Sequence, residues 1–98
     1  MELTGKCLND FSKWIKDKYD YNIIDFSYFL RILKNALIIE FFDVKGIFMD
    51  RLTHEEKIQI WDYRSSEPDN CIEVDLTYYD RSEHFNAGFE KANEIYNS

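Results

Sequence analysis

The hydrophobic period of this chain changes at Gly46, and that change restricts it to a mixed fold. Before Gly46 apolar residues recur at three- and four-residue steps; after it they largely alternate. The first spacing gathers side chains on one face of a helix, the second on one face of a strand.

Leu3, Cys7, Leu8, Phe11, Trp14 and Ile15 form the first helical stripe, with Lys6, Asn9, Asp10, Lys13, Lys16 and Asp17 on the opposite face. The pattern predicts an amphipathic helix of about four turns, closed by Asp20-Tyr21-Asn22. A second stripe follows: Phe26, Phe29 or Leu30, Leu33, Leu37, Phe41 and Val44. It predicts one long, central helix capped by Asp25 or Ser27 and ended by Gly46, with Ile47 packing back. The Leu37–Phe42 stretch is rich enough in β-branched and aromatic residues to permit a strand instead.

Beyond Gly46, Ile47-Phe48-Met49 is short and apolar, while Lys57–Arg64 and Cys71–Tyr78 alternate. The last is the clearest strand, with Ile72, Val74 and Leu76 inward and Glu73, Asp75 and Thr77 outward. Thr53-His54-Glu55-Glu56 has capping-box spacing and is the rival start of a helix through Trp61; the two-residue step from Ile58 to Ile60 favours a loop and then a strand. Asp80-Arg81-Ser82-Glu83 is a second capping-box pattern, with Asp80 as cap, leading into Phe85, Phe89, Ala92 and Ile95 or Tyr96 at helical spacing. Gly88 costs that helix about 1 kcal/mol relative to Ala, which points to close packing there. The sum is an α+β fold of order ααβββα: a three-stranded antiparallel sheet with helices on one face and the other face wet. At 98 residues the chain has the length of a single domain, 1–98.

Composition narrows the function. The formal charge is -7, which argues against direct nucleic-acid binding, a process that depends on Lys and Arg at phosphates. Charged residues interrupt the first twenty positions, and the longest apolar run is Ala36–Ile39; neither a signal peptide nor a membrane span is expected. Cys7 and Cys71, 64 positions apart, have no metal-type spacing and read as reduced thiols of a protein in the cytoplasm. No cofactor motif is present, since Gly5, Gly46 and Gly88 are scattered.

Catalytic candidates are thin. Cys7 or Cys71 with His54 or His84 would make a nucleophile–base pair, but surface histidines and inert thiols are the stronger reading. Asp62, Glu73 and Asp75 could meet on one sheet face and hold a divalent metal; a solvated strand face accounts for them better. The expectation is therefore a protein that is not an enzyme.

Charge distribution says more. Residues 1–34 carry six basic and five acidic side chains; residues 35–98 carry six and fourteen. The acids concentrate around the later strands, interleaved with aromatics: Trp61, Asp62, Tyr63, Glu67, Asp69, Glu73, Asp75, Tyr78 and Tyr79. Such a set suits docking onto a basic protein, the acids steering the encounter and the aromatics anchoring it. The 17% aromatic content also raises self-association, as more aromatic surface than one small core readily hides.

Two further stretches carry a resemblance. Phe41-Phe42-Asp43-Val44-Lys45-Gly46-Ile47 and Glu90-Lys91-Ala92-Asn93-Glu94-Ile95-Tyr96-Asn97, with the opening Gly5-Lys6-Cys7-Leu8…Phe11…Lys13-Trp14, resemble small uncharacterised proteins of Bacteroidetes phages and prophages. Those proteins have more Val and Tyr where this chain has Leu37-Ile38-Ile39. The resemblance implies a shared fold more than a shared activity. It also implies an accessory protein that binds and blocks a host protein handling nucleic acid, in the manner of anti-CRISPR inhibitors.

Overall fold

The computed structural model describes residues 3–64 and 71–98. Its elements are helix α1 (Gly5–Tyr19), short helix α2 (Ile23–Ser27), helix α3 (Arg31–Val44), strands β1 (Ile47–Leu52), β2 (Lys57–Asp62) and β3 (Cys71–Asp75), and helix α4 (His84–Asn97). The strands form an antiparallel meander in the order β1-β2-β3, and the helices pack on one of its faces. No helix among the described residues is long and apolar enough to cross a membrane.

The first helix forms as its stripe predicts. Cys7, Phe11 and Ile15 are buried on one side, and Asp20 ends it in the left-handed conformation with φ 60°. The second stripe resolves into two helices rather than one. α2 is capped by Asn22, whose side chain accepts from the Asp25 N–H at 2.8 Å, so neither Asp25 nor Ser27 is the cap. The chain then breaks at Tyr28-Phe29-Leu30 before α3 begins. Leu37–Phe42 is helical, and Leu37, Ile38, Phe41 and Phe42 supply much of the core. Gly46 has φ 86°, and its N–H reaches the Asp43 carbonyl at 3.1 Å. Ile47 behind it is fully buried. The F-F-D-x-x-G-I stretch is thus a helix end: two core aromatics, a left-handed stop and an apolar re-entry into the sheet.

Neither capping-box pattern forms its side-chain bonds. Thr53–Glu55 is a single 3-10 turn, Glu56 is left-handed at φ 49°, and β2 starts at Lys57. Arg81–Glu83 is another 3-10 turn, and Asp80 makes no side-chain cap. Its geometry departs from the α-helical first turn that the reciprocal bonds require.

β2 is the central strand and sets the register. Ile58 and Ile60 are buried beneath the helices, and their neighbours Val74 and Ile72 on β3 and Met49 on β1 share that face. α4 lies across it so closely that a Cβ on Gly88 would sit 2.8 Å from Ile58 Cδ1. Gly88→Ala therefore sets a helix-propensity gain of about 1 kcal/mol against overpacking of about 1–3 kcal/mol. The expected net is a loss of about 1 kcal/mol in chemical denaturation. In an Ile58→Val background, which removes the clashing methyl, the same change is expected to stabilise.

The chain ends are stitched together. Asn93 and Asn97, one turn apart on α4, hold the start of α1: Asn93 accepts from the Thr4 N–H at 2.9 Å, and Asn97 accepts from the Cys7 N–H at 2.8 Å and donates to the Thr4 carbonyl at 2.9 Å. Thr4 itself makes no side-chain cap, so helix α1 is capped from another helix. Gly5, at φ 58° and with the Asn97 amide only 3.3 Å from where a Cβ would be, leaves room for this grip.

Candidate functional site

The outer sheet face gathers some of the residues that the sequence singles out. Three rows cross it, following the strand register: Phe48–Trp61–Cys71, then Asp50–Gln59–Glu73, then Leu52–Lys57–Asp75. Tyr63 extends the aromatic end, its ring 5.3 Å from Phe48 and 6.4 Å from Trp61. Trp61 is half-buried, and Phe48 and Tyr63 are exposed. Phe48 belongs to this cluster, although as part of a short apolar run it carried no signal of which face it would take.

The acids here are partly compensated. Lys57 lies 3.1 Å from Glu55 and 3.2 Å from Glu73, and Gln59 donates to Glu73 at 3.3 Å. The Lys57 and Gln59 hydrogen bonds hold the Glu73 carboxyl below its ordinary range. Asp75 accepts from the Thr77 hydroxyl and N–H, which lowers its pKa in the same direction.

Three expected members lie elsewhere. Asp62 has the parity of Ile58 and Ile60 and so projects to the helix side, opposite Glu73 and Asp75. There it binds Arg64 through Nε and Nη2, both at 3.0 Å. The metal-holding trio of Asp62, Glu73 and Asp75 therefore does not assemble, because one residue step reverses the side chain. Tyr78 and Tyr79 follow the end of β3 that pairs with Lys57, whereas Trp61 pairs with Cys71 at the other end. Four strand steps, about 13 Å, separate those rows. Tyr78 is 95% exposed, alone, and no part of the aromatic cluster. Glu67 and Asp69, with the loop 65–70, lie outside the described residues.

The thiols differ. Cys7 is fully buried in the core, and burial pushes its pKa up to about 12 with help from nearby Asp10. It stays protonated at neutral pH and is no nucleophile. Cys71 is half-buried on the outer sheet face. His84 opens α4 with Nε2 3.2 Å from the Tyr79 carbonyl, and His54 is exposed in the 3-10 turn.

A second surface escapes the sequence reading. Around the α2–α3 corner, Ile24, Tyr28, Leu30 and Ile32 are 68%, 85%, 82% and 83% exposed. Exposed apolar side chains grouped in this way mark interaction surfaces more often than isolated ones do. Of the four only Leu30 stood in the predicted stripe, as the alternative to Phe29, and the break at Tyr28–Leu30 leaves it exposed.

Comparison with protein-family models, curated protein sequences and solved structures gives no match to this chain.

Proposed function

We propose that this protein is a non-catalytic, acidic protein-binding module. In this reading it is an accessory inhibitor, anti-CRISPR-like, that docks through its outer sheet face onto a basic surface of a host protein handling nucleic acid. The observation that carries the reading is the aromatic cluster Phe48–Trp61–Tyr63, left on the wet face of the sheet beside Asp50, Glu73 and Asp75. Aromatics anchored among acids combine steering with desolvated contact.

The test compares the wild-type chain with Trp61→Ala and with Glu73→Lys/Asp75→Lys as baits in lysate of the native host. A basic nucleic-acid-handling protein should be retained by the wild type. Its affinity should fall roughly thirtyfold on loss of the Trp61 anchor, and the charge reversal should weaken it in a salt-dependent way. Retention of the same proteins by all three baits defeats the reading.

A second reading, self-association, is favoured by the exposed corner of Ile24, Tyr28, Leu30 and Ile32. Light scattering separates the two: a monomer at high concentration removes it.

A further inference from the structure

Beneath the first two turns of α3 lies an open groove of about 700 Å³. Its apolar lining comes from all the helices around it, chiefly Leu8, Phe11, Phe26, Ile38 and Phe89. Arg31 and Lys34, three residues apart on α3, line the same groove, and Asn35 and Asn86 add amide groups.

Three features at this end of α3 favour an anion. Neither Arg31 nor Lys34 is in an ion pair among the described residues, a state they share with Lys13, Lys45, Arg51 and Arg81. Both sit near the N-terminus of α3, where the helix dipole disfavours positive charge. Leu30 at the N-cap position supplies no side-chain acceptor, and the first turn of α3 holds no acidic residue. An anion seated beside Arg31 and Lys34 relieves all three at once.

We propose that this groove binds a small anionic amphiphile, an acyl carboxylate whose head meets Arg31 and Lys34 and whose chain lies over Phe26, Ile38 and Phe89. The groove's volume falls within the range of small-ligand sites, about 300–1,000 Å³. The site is independent of the outer sheet face and of the docking reading built on it.

The experiment is a titration of the ¹⁵N-labelled chain with sodium decanoate below its micelle-forming range, followed by NMR. Saturable one-to-one shifts are expected at the Arg31, Lys34, Asn35 and Asn86 amides. Arg31→Glu/Lys34→Glu should weaken binding by about tenfold or more. Both positions lie outside the core, and a melting temperature no lower than that of the wild type shows that the variant folds. Uncharged 1-decanol should bind about tenfold more weakly than decanoate. The proposal is overturned by any of four results: no saturable shifts, equal binding of decanol, equal binding by the charge-reversed variant, or response of these amides only to an acidic amphipathic peptide. Trp61→Ala should leave decanoate binding intact, which keeps this test separate from the docking one.

Discussion

Phe41→Ala is expected to lower stability by about 4 kcal/mol, within the range of about 3–5 kcal/mol for truncating a buried phenylalanine. Phe41 is fully buried at the meeting point of three helices. Its ring centroid lies 5.3 Å from Phe11 and 5.8 Å from Trp14 on α1, and 5.6 Å from Tyr96 on α4. Truncation removes the aromatic contacts of three partners together and leaves a hole that helices fixed by their own ends cannot collapse to fill. Domains of this size typically have about 5–15 kcal/mol in total, so the variant should sit near the edge of folding. Urea denaturation should show the midpoint falling while the slope is kept. A loss below about 2 kcal/mol would mean that Trp14 repacks into the gap.

The second large effect is at Arg64. Its guanidinium donates to the Ile95 carbonyl at 2.8 Å and the Tyr96 carbonyl at 3.1 Å, the last turn of α4, while holding Asp62 and lying over the Tyr96 ring at 5.2 Å. A cation on the carbonyl end of a helix compensates its dipole. Hydrogen bonds to a charged group are worth about 1.5–3 kcal/mol. Arg64→Ala is therefore expected to cost about 2–3 kcal/mol by thermal and urea denaturation, and Arg64→Lys to recover only part, since one ammonium cannot span Asp62 and both carbonyls. The interaction also predicts a pH dependence. The Arg64 hydrogen bonds lower the Asp62 pKa below its ordinary 3.8. The stability it contributes is fully present above that value and is lost as pH falls through the lower folded one. Wild type should thus lose more stability than Arg64→Ala between pH 5 and pH 2, and parallel curves would contradict the role.

The parts legible in the sequence were those written in period and parity. Ile58 and Ile60, with Ile72, Val74 and Leu76, fixed the inner sheet face by alternation alone, and the α+β order followed from the switch at Gly46. The same alternation placed Glu73 and Asp75 on the outer face; Trp61 was grouped with them by position along the chain, and the observed register puts it on that face. Asp62 shows the limit of grouping by position along the chain, because its parity sends it to Arg64 and α4. The α2–α3 break was illegible because α3 is apolar nearly all round; Leu30, Ile32, Leu33, Leu37, Ile38 and Ile39 mark no single face. The Asp80 capping box failed for another reason: its residue types also suit a 3-10 turn, and only backbone geometry separates the two. At Thr53 the Ile58–Ile60 step pointed correctly to a loop and then a strand.

The grip of Asn93 and Asn97 on Thr4 and Cys7 has a consequence for how the chain acquires its shape during synthesis. α1 is synthesised before α4 but is capped by α4 side chains up to 93 positions later. Until α4 has emerged, Phe41 and Phe42 lack Tyr96, and Ile58 lacks the cover of Gly88. Completion of the core therefore waits on α4. A nascent chain stalled before His84 would expose the half-built core to chaperones rather than hold a partial native fold.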